Sequence, residues 1–253
     1  MRQQIWGILD DLSDTPVWKN IGPLKIGFRK QFNEILITIV EKGSKSDDKD
    51  LNWSRWVMKS DRFKIKLSPV FPDKPIIVRT EHPFRITKNA KARVYTLIPV
   101  WVRITAIDNP DNVIMEIPVQ TLSKTWFGDP VDGELCYWIS TTARRQLQKD
   151  SIDGYQAICS LNIQNRSESD LQVEKICFRV ERLTLFQKDM ELWADDTEIT
   201  YRGSEQHSDI IMTGRVPKEI TGAHKVGEPR NVTKKSMAIR TFQRIREIPL
   251  FGE

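Results

Sequence analysis

Residues 93–106 read RVYTLIPVWVRITA, and this stretch decides the fold class. Val94, Thr96, Ile98, Val100, Val102, Ile104 and Ala106 fall in one phase of a period-two pattern. Successive side chains of a strand point to opposite faces, so these seven share one face. Tyr95, Leu97 and Trp101 occupy the other phase, which predicts a central strand covered on both sides. Pro99 offers no N–H to a ladder, so a bulge or bend is expected there.

The pattern repeats outward from this segment. RFKIKLS (62–68) sets Phe63, Ile65 and Leu67 against Lys64, Lys66 and Ser68. NEILITIVE (33–41), NVIMEIPVQTL (112–122), YQAICSLNIQN (155–165) and DIIMTGRV (209–216) also read as strands. In LQVEKICFRV (171–180) the apolar phase begins with Leu171 and Val173, then shifts to Ile176, Phe178 and Val180, as a β-bulge would make it. Clusters of turn formers separate the runs, at DNPDN (108–112) and NRSESD (165–170). EKGSKSDDKD (41–50) reads as an exposed loop. The expectation is an all-β, antiparallel β-sandwich: one large sandwich or two packed immunoglobulin-like ones. The body spans 18–216 with a possible division near 108–112, and a segment of residues 1–17 precedes it.

Charge divides the chain. From Arg215 onward there are nine Lys or Arg against four Glu, a balance of +5 that equals the net charge of all 253 residues. Residues 1–214 hold 30 basic and 30 acidic side chains. The segment 217–253 is therefore a basic arm on a neutral body. Its part 233–248, TKKSMAIRTFQRIREI, suits a short amphipathic helix ended by Pro249. Lys234, Lys235, Arg240, Phe242, Arg244 and Ile245 are its candidate binding residues, for a protein partner, a membrane protein or an anionic membrane surface. Nucleic acid fits less well, because the body lacks basic-plus-aromatic patterning.

The stretch KTWFGDPVDGELCYWIS (124–140) gathers Asp129, Asp132, Glu134 and Cys136 between Trp126 and Trp138. Asp132-Gly133 is a two-residue hairpin signal. Asp129 and Glu134 also permit an alternative reading, a hydrolase or carbohydrate-binding pair. The acids miss calcium-loop spacing, and Cys136 has no histidine near it in sequence. Turn geometry is the reading preferred, with Trp126, Asp129, Asp132, Glu134 and Trp138 as a recognition loop. No catalytic residue is assigned.

Cys136, Cys159 and Cys177 are widely spaced, and His82, His207 and His224 stand apart. None shows metal spacing, so neither a metal nor a cofactor is expected. Phosphate-binding and nucleophile-elbow glycine motifs are lacking. The N-terminal residues lack the apolar core of a signal peptide, and no apolar run approaches the ~20 residues that span a bilayer. A cytoplasmic, non-enzymatic protein is expected.

YTLIPVWVRI, WFGDPVDGELCYWIS, LNIQNRSESDLQVEKICFRV and LFQKDMELWADDTEITYRG resemble, in order and spacing, the archaeal and bacterial family called domain of unknown function 432. The family landmark is a Gly-Asp-Pro-x-x-Gly turn followed by Cys and an aromatic pair. Gly128, Asp129, Pro130, Gly133, Cys136, Tyr137 and Trp138 match it. Phe127 stands where the family often has Tyr, and Tyr137 where it often has a basic residue, which argues against a fixed polar site there. The resemblance covers about residues 20–216 and implies no activity. Bacterial members lie near genes for small mechanosensitive channels, which implies a membrane-protein partner.

Overall fold

The computed structural model describes residues 5–41, 51–128, 130–131, 133–147, 152–203, 208–232 and 237–239. For Glu41, 109–111 and 237–239 only the backbone is described. The strands are β1 (Gly7–Leu9), β2 (Val17–Ile21), β3 (Leu24–Gln31), β4 (Glu34–Glu41), β5 (Ser54–Val57), β6 (Ile65–Val70) and β7 (Ile76–Ile86). Next come β8 (Lys91–Pro99), β9 (Trp101–Ala106), β10 (Asn109–Pro118), β11 (Ser123–Phe127), β12 (Glu134–Ala143), β13 (Gln156–Asn165) and β14 (Leu171–Phe178). Last are β15 (Leu185–Lys188), β16 (Glu191–Ala194), β17 (Thr197–Tyr201), β18 (Ser208–Met212), β19 (His224–Gly227) and β20 (Met237–Ile239). The described helical pieces are two 3-10 turns, Val180–Arg182 and Lys218–Ile220. The protein is all-β, as the period-two pattern predicts.

The bend expected at Pro99 is a change of sheet. β8 pairs with β13, whereas β9, resumed after Val100, pairs with β6 and β10. Val94, Thr96, Ile98, Val100, Val102 and Ile104 are all buried, so one face stays inside as the chain crosses over. Strands that switch sheets in this way make the corners of orthogonal packing. On the opposite face Tyr95, Leu97 and Trp101 are half-buried.

Four sheets surround one contiguous core, which runs from Trp6 to Ile210 in sequence. Their orders are β1-β6-β9-β10, β2-β3-β4-β5, β11-β12-β7-β14, and an eight-stranded sheet built around β13. Antiparallel pairing dominates, but β12 runs parallel to β7, and β13 runs parallel to both β16 and β17. Period two reports which face a residue takes, not which strand lies beside it, so these parallel pairs are invisible in the pattern. The phase shift in β14 is the predicted bulge, a register break between Val173 and Lys175 against β7. Residues 107–108 form the turn between β9 and β10.

NRSESD is a turn of unusual completeness. Asn165, wholly buried, donates from Nδ2 to the Ile86 and Ser169 carbonyls, both at 2.8 Å. Its Oδ1 accepts from the Ser167 N–H at 3.0 Å and the Ser167 hydroxyl at 2.7 Å. The side chain thereby ties the ends of β7, β13 and β14 together.

After residue 216 the chain continues along the body. Ile220 is buried against Ile158, Phe186 and Trp193 on the outer side of the eight-stranded sheet. β19 then pairs with β15. Of the helix expected over 233–248, the three residues Met237–Ile239 are instead extended and pair with β18. A free sheet edge satisfies their backbone groups, where a short helix in water would be marginal. Lys234, Lys235, Arg240, Phe242, Arg244 and Ile245 lie outside the described residues.

Asn165→Ala would leave the Ile86 carbonyl and the buried Ser167 N–H without this partner. It is expected to cost about 3 kcal/mol of stability, read as a lowered midpoint in urea unfolding.

Candidate functional site

The hairpin of β11 and β12 carries the residues singled out from sequence. Its last pair is Phe127 with Glu134, so the connection is the six residues 128–133, not a two-residue turn at Asp132-Gly133. Gly128, at φ 105°, leaves the strand early, and Pro130 has no N–H with which to prolong the ladder. A Cβ on Gly128 would sit 3.0 Å from the Gly133 Cα, so a side chain at 128 would crowd the loop neck. Asp129 and Asp132 lie outside the described residues. Trp126 pairs with Leu135, and both are exposed, by 51% and 43%. Trp138 lies on the opposite face, packed on a small apolar cluster of Ile77, Phe127, Cys136 and Cys177. The two tryptophans therefore do not share a surface.

That opposite face holds the chemistry. Period two places Glu134, Cys136 and Trp138 together on β12. β7 contributes Ile77 and Arg79, whose guanidinium lies 5.0 Å from the Trp138 ring centre. Across β7, Cys177 on β14 and Arg179 just beyond it occupy the same face. Nη1 of Arg179 donates to Glu134 Oε2 at 2.7 Å, and Nη2 donates to Oε1. The Arg179 side chain is 4% exposed and the Glu134 side chain 36%. Arg179 Nε is buried without a hydrogen-bond partner. The Glu134 oxygen and the Cys136 and Cys177 sulfurs lie within 4.8 Å of one another.

The electrostatics follow from burial. The contact with the Cys136 sulfur, then desolvation, pushes the Cys177 thiol well above its ordinary range. Burial opposes the Arg179 charge, but the Glu134 hydrogen bonds and nearby negative groups outweigh it, so the guanidinium is held charged. Glu134 is thus engaged at both oxygens. Its carboxylate serves a buried cation; Asp129, the other member of the hydrolytic pair considered from sequence, lies outside the described residues.

Two further features lie on the outer side of the eight-stranded sheet. Where β8 and β12 part, joined by one bridge between Tyr95 and Arg144, a cleft of about 380 Å³ opens. Ser140, Thr142, Gln146 and Leu147 are among its lining residues. Beside it Arg93 bridges Asp196 at 2.7 Å and Glu219 at 2.8 Å, which fastens the arm to the body. Asp195 is buried. Its oxygens accept from the Thr184 and Gly214 N–H groups, each at 2.7 Å, yet desolvation raises its pKa to about 6.

The sequence reading missed the Glu134–Cys136–Cys177–Arg179 cluster. Its signal was present as two short spacings, Glu-x-Cys at 134–136 and Cys-x-Arg at 177–179, each placing its pair on one strand face. The candidate tail residues lie outside the described residues.

Fold and cluster define an all-β protein with a buried, thiol-flanked ion pair at the base of a landmark hairpin. The chain belongs to the family described as Protein of unknown function (DUF432), whose model matches residues 5–246. No curated protein and no solved structure matches it. No helix among the described residues is long and apolar enough to cross a membrane.

Glu134→Ala would leave Arg179 charged, buried and unpaired. Removing one partner of a buried pair costs about 3–5 kcal/mol, and the partial exposure of Glu134 reduces this to about 2 kcal/mol. Urea unfolding of the variant should show that loss. For Asp195, the unfolded carboxyl ionises near 3.8 and the folded one near 6. Between those values the folded chain binds more protons, so this group's contribution to stability falls as pH rises through the window and is level above it. Glu116 and Asp73, both lowered, act in the opposite sense at lower pH. A carbon-detected NMR titration should place the Asp195 midpoint near 6.

Proposed function

We propose that this is a non-enzymatic binding protein of the cytoplasm, in which the β body holds the basic arm at Arg230 and again at Met237–Ile239, and Lys234, Lys235, Arg240, Phe242, Arg244 and Ile245 engage an acidic protein partner. The observation that carries this reading is the Arg230 anchor. Arg230 Nε donates to the Phe71 carbonyl at 2.6 Å, and Nη2 pairs with Glu116 at 2.8 Å. Its guanidinium lies 5.2 Å from the Trp101 ring centre, a stacking favourable to a desolvated cation. The next residue, Asn231, donates its N–H to the Glu181 carbonyl at 3.0 Å.

Charge supports the choice of partner. Residues 215–232 hold four basic and two acidic side chains; Arg230 and Glu219 form ion pairs with the body, and Lys225 and Glu228 pair with each other. Residues 233–253 hold five basic against two acidic side chains, interleaved with Phe242 and Ile245. A mixed basic and apolar segment fits an acidic surface with apolar contacts, such as the cytoplasmic part of a membrane protein.

Replacing Lys234, Lys235, Arg240 and Arg244 together by Gln tests the reading. Affinity purification from the native host should lose the co-purifying partner by about tenfold or more, while the unfolding midpoint of the body stays unchanged. Retention of the whole partner set by the neutralised chain would overturn it.

A further inference from the structure

We propose that Glu134, Cys136 and Cys177 form a binding site for one borderline divalent metal ion of the zinc type. The three donor atoms lie within 4.8 Å of one another. A tetrahedral ion with metal–sulfur bonds of about 2.3 Å holds two thiolate sulfurs about 3.8 Å apart. Binding therefore requires the side chains to draw the two sulfurs to about that separation. Two sulfurs and one carboxylate oxygen suit zinc, cadmium or cobalt(II), whereas calcium and magnesium take oxygen donors.

The sheet itself favours an ion over a disulfide. β12 and β14 both pair with β7 and lie on its two sides. Neighbouring strands are about 4.8 Å apart, so strands separated by a third lie about 9.6 Å apart. A disulfide requires Cα atoms within about 7 Å. The sulfurs of Cys136 and Cys177 can therefore converge on an ion between them, while a direct bond would need the strands to close over β7.

Charge balances in both states. Without the ion the two thiols are neutral, and Glu134 and Arg179 cancel. When the ion binds, each thiol releases its proton to solvent as its sulfur–metal bond forms. Two thiolates and one carboxylate then face a divalent ion and one guanidinium, three negative charges against three positive. A buried site tolerates charge only when it is so paired. Arg179 keeps its hold on Glu134 throughout, because each carboxylate oxygen has a second lone pair for the metal. Glu134, 36% exposed, gives the ion a route from solvent. Three protein ligands leave the fourth position to water. The site stands independently of the basic arm and of any partner it engages.

Native mass spectrometry of the reduced full chain with zinc acetate tests the proposal. One bound ion is expected, at a mass two protons below simple addition. Cobalt(II) should give thiolate charge-transfer absorption. Cys136→Ala and Cys177→Ala should each weaken binding by more than about 100-fold, beyond the roughly 10–100-fold cost of losing a residue that only supports a ligand. Cys159→Ala, in a different part of the core, should leave it unchanged. Loss of a buried sulfur also lowers stability, so the unsubstituted chain carries a second readout: zinc should shield Cys136 and Cys177, and not Cys159, from alkylation in partially denaturing urea. The proposal is overturned by failure to form a one-to-one complex, by uptake without proton loss, by alkylation that zinc leaves unchanged, or by undiminished binding in the C136A/C177A chain.

Discussion

The crossing at Pro99 and Val100 is the constraint on which the rest depends. A strand that ends one sheet and begins another must keep a single face buried through the corner, or one of the two sheets would turn its apolar side to water. The run from Val94 to Ile104 meets that demand with small and β-branched side chains at every inward position. Pro99 removes a donor at the point where the ladder has to change partners, so the corner forms without stranding an N–H in the interior. The core is contiguous across four sheets because this strand belongs to two of them.

Parallel pairing around β13 is built beside that corner. With β8 on one side of β13, the other side is shared by β16 and β17, which arrive after long excursions and run parallel to it. None of this was legible in the sequence, because alternation specifies a face and leaves the neighbour open. Local events were legible. The phase change from Val173 to Ile176 marked a true register break, and the turn formers at 165–170 marked a real turn. The Asp132-Gly133 signal misjudged the loop length, since Gly128 and Pro130 had already ended the ladder. The amphipathic reading of 233–248 failed at Met237–Ile239 because an open edge on β18 offered hydrogen bonds that no helical wheel records.

The cluster on the β7 face shows the same divide between local and distant information. Glu134 and Cys136 sit two residues apart on one strand, as do Cys177 and Arg179 at the end of another, and each spacing fixes a shared face from sequence alone. Their meeting depends on β7 lying between them, with parallel pairing on one side and antiparallel on the other. The carboxylates of the landmark hairpin first suggest a hydrolytic pair. The geometry gives Glu134 another task, the neutralisation of a guanidinium that β14 carries into a dry site. A buried Arg without that carboxylate would be among the most costly groups in the molecule.

Arg179 and Arg230 treat charge in related ways. Each is a largely buried cation held by a glutamate from a different part of the chain, Glu134 in one case and Glu116 in the other. Such pairs contribute little net stability when compared with apolar replacements, but they penalise alternatives, because any arrangement that parts them leaves a charge in the interior. The first thus fixes the end of β14 against the hairpin, and the second fixes Arg230 of the basic arm onto the body. A neutral body with a basic end is then more than a compositional accident: in 215–232 Arg230 and Glu219 are tied to the body and Lys225 and Glu228 cancel one another, while residues 233–253 carry five basic against two acidic side chains.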